Sequence, residues 1–427
     1  MMMNDIFIYN IKSLVGVLET NAKLLKGKEM STLNCINNAY LILKDGKIFD
    51  YGRMEDYWNG ITSDKKEFDI EIDAVGKMVF PSYCDSHTHL VYAASREEEF
   101  VDRIKGLSYQ DIAAKGGGIL NSVKKLEAAK EEELYDGAWK RLEEIIRKGT
   151  GAVEIKSGYG LSLESELKML RVIKKLKADS PLTIKATFLG AHAIPAKYKN
   201  NKADYIRLIT EVMMPAIAKE ELAEYCDVFC EENYFTKEET IHILNEGIKH
   251  GMKPKVHAEQ LSHSGGIEAG VACNAISVDH LEFANENDIE LLKNSSTMPT
   301  ILPGAAFFLG LQNPPARMMI DAGLPIAIAS DYNPGSSPSG NMNMMLSIAC
   351  IQYKMTPEEA INASTINTAY AMDLSHTHGS ISRGKAANVF ITKEIPSYAF
   401  LPYSFATDLI ETVILKGIRC ITNNSSE

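Results

Sequence analysis

No Cys-x-x-Cys pair occurs in this chain. Its 7 cysteines (Cys35, Cys84, Cys226, Cys230, Cys273, Cys350 and Cys420) are scattered and odd in number. That argues against a zinc ribbon and a disulfide framework, and points to a reduced, cytoplasmic setting. Long apolar runs are missing too. The stretches 299–311 and 324–329 are broken by Pro and Gly, short of the ~20 residues a bilayer-spanning helix needs. There is no Lys/Arg cluster, and 45 Lys+Arg stand against 56 Asp+Glu for a net charge of −11. Such a chain repels phosphate at long range, so neither nucleic acid nor an anionic membrane is an expected partner. A small anionic substrate stays open, because one local arginine outweighs a screened distant field. Residues 1–15 contain Asp5 and no basic leading region, so no signal peptide is expected.

What is present is 45% hydrophobic and 24% charged residues, enough apolar material for a large core. The 427 residues suggest about three domains by length, although α/β barrels run longer as single units. Segments 39–43 and 47–51 flank Lys44-Asp45-Gly46, a hairpin signal. Residues 71–81 read as extended, and near the other end 387–392 and 411–415 do so again. The expected organisation is one small β-sandwich domain assembled from 1–77 and 376–427, around an α/β domain at 78–375.

The middle has the rhythm of β-α units. A helix is expected over 131–148, with Glu131, Glu132 and Glu133 at its positive end, Arg147 and Lys148 at its negative end, and Gly149 as the stop. Strands are expected at 78–83, 152–156, 183–189, 228–231, 254–257, 276–280, 297–301 and 326–330. Eight strands alternating with helices fit a (β/α)8 barrel, though periodicity alone also suits a doubly wound sheet. The polar residues decide between them. Asp85 to His89, Ser157 to Tyr159, His192, His257 to Gln260, Asp279-His280 and Ser330-Asp331 all fall at strand C-terminal ends, the rim where barrel enzymes carry reactive groups.

His87 and His89 lie two apart in extended backbone and point to the same side, so both can reach one cation. An isolated His-x-His more often marks two exposed turn histidines. His257 and Asp331 at other strand ends strengthen the metal reading. Three neutral imidazoles and one carboxylate suit zinc or ferrous iron, whereas calcium and magnesium prefer oxygen.

Pro81-Ser82-Tyr83-Cys84-Asp85-Ser86-His87-Thr88-His89 resembles the first-strand signature of the amidohydrolase superfamily, whose composite β-sandwich is similar to segments 47–51 and 379–392. Three longer stretches resemble the imidazolonepropionase family: Glu154 to Gly160, Phe188 to Pro195, and Ser330 to Ser336. The likeness covers nearly the whole chain. It implies hydrolysis of 4-imidazolone-5-propanoate to N-formimino-L-glutamate, in histidine degradation. It also implies that His87, His89, His257 and Asp331 hold zinc or iron, that Arg96 clamps the propanoate, and that Tyr109, Tyr159, His192, Asn333, Gly335 and Ser336 complete the pocket. A homodimer is what the family suggests.

The residue chemistry agrees. Opening a cyclic C–N bond needs a nucleophile, a polarised carbonyl and a protonated leaving nitrogen. A bound divalent metal supplies hydroxide near neutral pH. Asp331 is expected to take the proton and pass it to the ring nitrogen, and His280 to orient water or stabilise the oxyanion. Related deaminases carry His-x-x-Glu, where this chain has His257-Ala258-Glu259-Gln260. Gln260 titrates no proton, but its amide can hydrogen-bond the ring. Glu259 is expected to face away. No Lys occurs over 225–232, where binuclear relatives hold a bridging lysine, so one metal is expected, with Lys156 as a salt-bridge residue.

Blander meanings compete at several positions. Arg96 precedes Glu97, Glu98 and Glu99 and could pair on a solvated face. His192 alone could be a buried core histidine. Segment 335–340 suits an anion-binding nest and an ordinary turn equally. Gly116-Gly117-Gly118 reads as a flexible rim loop. Met342, Met344 and Met345 read as packing, and His376-Thr377-His378 as surface. Two rival functions are a deaminase of a nitrogen heterocycle on the same scaffold and a metal-free, non-catalytic assembly protein.

Overall fold

The computed structural model describes residues 4–18, 22–60, 68–107 and 117–422. Its strands fall into three groups along the chain. β1 (Ile6–Val15), β2 (Cys35–Lys44), β3 (Lys47–Arg53), β4 (Ile70–Asp73) and β5 (Lys77–Pro81) come first. The middle group is β6 (Tyr83–Thr88), β7 (Thr150–Lys156), β8 (Thr183–Ala191), β9 (Tyr225–Cys230), β10 (Lys253–Ala258), β11 (Ser277–His280), β12 (Met298–Ile301) and β13 (Ala327–Ile328). β14 (Val389–Glu394), β15 (Ile410–Leu415) and β16 (Ile418–Thr422) close the chain.

The two outer groups form one mixed sheet, in the order β16-β15-β14-β5-β1-β2-β3 with β4 added to β1. Its seam joins the chain ends: β5 pairs antiparallel with β14, placing Val79 opposite Ile391 and Phe80 opposite Phe390. The expected hairpin is β2–β3. Asp45 (φ 50°) and Gly46 (φ 71°) both adopt left-handed backbone there, as a two-residue turn matching strand twist requires. Alternate residues of β1 and β2, among them Ile6, Ile8, Leu41 and Leu43, enter an apolar cluster with Val389 and Ile391.

The middle group is a parallel sheet in sequential order from β6 to β13, and it closes on itself. The Asp331 N–H donates to His87 O (3.0 Å) and the His89 N–H to Tyr332 O (2.9 Å). The Asp85 carboxylate accepts from both Ser330 N (2.9 Å) and Ser330 Oγ (2.5 Å). Helices cover the outside. Glu131–Arg147 buries Leu134, Ala138, Leu142 and Ile145 at helical spacing. Leu163–Asp179 is capped by Ser162 and buries Leu167, Leu170, Ile173 and Leu176. Each leucine so buried contributes about 2 kcal/mol. No helix among the described residues is long and apolar enough to cross a membrane.

Two sequence expectations are corrected. The strand expected over 78–83 divides: Lys77–Pro81 belongs to the mixed sheet, and the first barrel strand is Tyr83–Thr88. The apolar run is continuous across this change of sheet, so periodicity does not register it. His376 is exposed as expected, but His378 is buried. Its ring nitrogens meet Thr377 Oγ1 at 2.7 Å and Thr183 Oγ1, at the start of β8, at 3.0 Å. Met342 and Met345 are buried in the core, and Met344 packs against it.

Candidate active site

β6 carries His87, His89 follows directly after its end, and both side chains are buried. β10 contributes His257, and the turn after β13 contributes Asp331, held at φ 53°. The His87 ring lies 5.5 Å from that of His89 and 4.3 Å from that of His257, centroid to centroid. Nε2 of His87 and Nε2 of His89 each stand 3.6 Å from Asp331 Oδ1. Buried Nε2 atoms of His87 and His257 have no hydrogen-bond partner among the described residues. Unpaired imidazole nitrogens beside a carboxylate are costly unless something fills the gap, and the donor set is one a divalent metal takes. The donors fit the ion.

A layer beneath fixes those rings. His87 Nδ1 lies 2.7 Å from Asp279 Oδ2, and His257 Nδ1 lies 3.1 Å from Asp227 Oδ1. A carboxylate on Nδ1 holds the proton there and turns the Nε2 lone pair inward. Lys156 donates to Asp227 Oδ2 (2.7 Å) and Glu154 Oε1 (2.6 Å), while Lys255 pairs with Glu154 and donates to Ser86 O (3.0 Å). All five charged groups are buried. Burial opposes charge on Asp227, yet His257 and Lys156 beside it hold its carboxyl well below the usual range. Burial, reinforced by Lys156, keeps the His87 ring neutral. Lys156 is thus an ion-pair residue, as expected. Asp227 and Lys255 go unremarked in the sequence, where Asp279 is noted only as a strand-end residue and Glu154 only within a family stretch; the signal for all four is charge inside apolar strands.

A cavity of about 450 Å³ opens over these donors. Arg96, Tyr159, His192, Gln260, His280, Asp331, Asn333, Gly335 and Ser336 all line it. Tyr109 lies outside the described residues, as does Gly116 of the glycine run. Arg96 meets Glu99 Oε2 through Nε (2.8 Å) and Nη2 (2.5 Å), so pairing with a neighbouring acid and facing the cavity coexist. Arg103, also on the cavity wall, donates to Gly335 O at 2.8 Å. It lies seven residues from Arg96, the same helix face, and that spacing could have flagged it. A Cβ on Gly335 would fall 2.3 Å from Arg96 Nη1, so only glycine lets the guanidinium pass.

Tyr159 is carried on a loop hung from Glu166, whose carboxylate accepts from Gly158 N (3.2 Å), Gly160 N (2.8 Å) and Leu161 N (2.8 Å). His192 Nδ1 lies 2.9 Å from Gly158 O, so Nδ1 carries the proton and Nε2 is an acceptor. Burial, with His257 nearby, brings the His192 pKa down to about 3. Asn333 Oδ1 accepts from Gly335 N (2.7 Å) and Ser336 N (2.8 Å), and Ser336 Oγ donates to Asp331 Oδ2 at 3.0 Å. The backbone N–H groups of 335 and 336 are therefore spent on an Asx turn, and the Ser336 hydroxyl also braces Asp331. Glu259 faces away as expected, accepting from Gly266 N (2.8 Å) and Ile267 N (2.9 Å).

His280 ends β11, 5.3 Å from both the His87 and His257 rings. With them it forms a second group of convergent donor atoms, beside His87, His89 and Asp331. Its Nδ1, unlike theirs, has no hydrogen-bonding aspartate. That separates it chemically from His87 and His257.

The amidohydrolase family matches residues 78–418. An imidazolonepropionase of Christiangramia forsetii is 55% identical over 412 residues, 96% of this chain and 99% of that one. One from Flavobacterium johnsoniae is 56% identical over 410 residues, 96% of this chain and 98% of that one. Among solved structures, a zinc-bound adenosine deaminase of Xanthomonas campestris superposes with TM-score 0.70 at 14% identity, over 97% of this chain and 92% of that one, a likeness of fold. Identity at this level over nearly the full length of both chains means that the chain belongs to the amidohydrolase family and, within it, to the imidazolonepropionases.

Proposed function

We propose that the chain hydrolyses 4-imidazolone-5-propanoate to N-formimino-L-glutamate, with one zinc or iron ion held by His87, His89, His257 and Asp331. The observation that carries this reading is the pair of unpartnered buried Nε2 atoms of His87 and His257, with His257 on the wall of a cavity that also carries Arg96. When bound, such an ion supplies Lewis acidity and lowers the pKa of water towards about 7. Arg96 receives the propanoate carboxylate with its planar fork. His192 offers Nε2 to a ring N–H, and Tyr159 and Gln260 border the ring. Asp331 takes the proton released as water attacks the ring carbonyl and returns it to the departing nitrogen, so the bond breaks without expelling an anion. His280 steadies the charge that develops on the carbonyl oxygen.

The test is to supply fresh imidazolonepropanoate, made by urocanase, and follow loss of its ultraviolet absorbance alongside metal analysis. The expected result is decay far above the spontaneous rate, with one metal per chain. Background decay by a fully metallated sample would reject the assignment, and ammonia release from a purine or pyrimidine base would select the deaminase instead.

A further inference from the structure

Behind His280 lies a carboxyl group that none of these roles employs. Glu282 is 1% exposed, and neither of its carboxyl oxygens has a hydrogen-bond partner among the described residues. Nδ1 of His280 is likewise buried and unpartnered, and it stands 3.9 Å from Glu282 Oε1. The backbone is bent to bring them together. His280 (φ 93°) and Leu281 (φ 73°) are consecutive non-glycine residues with left-handed backbone, a strained conformation for residues with side chains. Braces hold the turn: Leu281 N–H donates to Ala258 O (3.0 Å), Phe283 N–H to Glu259 O (2.8 Å) and Gln312 Nε2 to Glu282 O (2.6 Å).

We infer that Glu282 is a positioning residue for His280: its neutral carboxyl donates O–H to Nδ1, so that His280 presents Nε2–H to the cavity. This rests on the proposed role of His280 at the ring carbonyl. The opposite polarity operates at His87 and His257, whose aspartates lie near Lys156. Glu282 has no such cation: among the described residues its one ion-pair contact is His280 itself. Its charged neighbour is Glu231, of the same sign as an ionised Glu282 would be, and burial raises the Glu282 pKa well above the usual range. An isolated buried carboxylate is strongly disfavoured, so the proton stays on Glu282 throughout the reaction and no transfer passes through it. The 3.9 Å separation is longer than a hydrogen bond, and contacts of this kind tighten when substrate fills a site.

Glu282→Gln keeps a donor, and Glu282→Leu removes it. In zinc-loaded protein with 15N-labelled histidine, His280 should show an acceptor Nδ1 and a protonated Nε2 in the parent and in E282Q. Its signals are identified by their loss in His280→Gln. E282L should lose that single tautomer, with kcat down about 10- to 100-fold, KM unchanged and one metal retained. E282Q should turn over close to the parent rate. A protonated Nδ1 in the parent, an E282L variant with parental kcat, or equal losses in both variants would each overturn the inference. If E282L does not fold, the tautomers of the parent and E282Q decide. A parent inactive on imidazolonepropanoate would sink the proposed function instead, leaving the tautomer test standing.

Discussion

Arg96 shares its guanidinium with Glu99 and reaches the cavity through the space that Gly335 leaves. A bidentate, charge-assisted contact there is worth about 1.5–3 kcal/mol. Arg96→Met should therefore raise KM about ten- to a hundredfold with a smaller change in kcat, by steady-state kinetics. An unchanged KM would remove Arg96 from substrate recognition. For His280→Ala, metal content should hold at the parent value while kcat drops about a hundredfold or more. Recovery of metal-free protein would make His280 a ligand. His280 was legible from its place at a strand end, and Arg96 from the family likeness. Glu282 was not: nothing in a string tells an acid facing solvent from one turned behind an imidazole.

At the scale of elements, the Tyr159 loop is the part of the pocket most dependent on a single neighbour. Three backbone N–H groups converge on Glu166. Glu166→Gln sets an amide N–H against one of those donors, a loss of about 1–3 kcal/mol for a buried group left unpaired. The expected outcome is a lower melting temperature together with a raised KM. A variant with both unchanged would show that the loop stands without its anchor. The helix over 131–147 and the hairpin at Asp45-Gly46 were readable because charge placement, apolar spacing and turn residues all act locally. The change of sheet after Pro81 was not, since β5 finds its partner β14 about 300 residues away, at Ile391 and its neighbours.

Across the whole molecule, His378 joins the segment leading to β14 with the start of β8, and burial, with Lys416 and Lys385 nearby, lowers its pKa to about 4 from 6.5. Between these values the unfolded chain binds a proton that the native protein does not. This contribution to stability is complete above about pH 6.5 and is lost as pH falls towards 4, at about 1.4 kcal/mol per pH unit. His378→Gln should flatten the dependence of unfolding free energy on pH in that window by about this slope, as read from denaturant titrations. Parallel curves would show that His378 is protonated in the folded protein.

The barrel rhythm, the His-x-His pair, the distant His257 and Asp331 and the family stretches follow from sequence alone, because residue type, period and strand-end position are properties of neighbours along the chain. Only the tertiary structure decided which acids stand under which imidazoles. Glu154, Lys156, Asp227, Lys255 and Asp279 come from four strands, and their pairing exists only once those strands lie side by side. In an excluded-water interior, a charge is stable only beside its counter-charge. That is a condition on distance in space, which order along the chain does not carry.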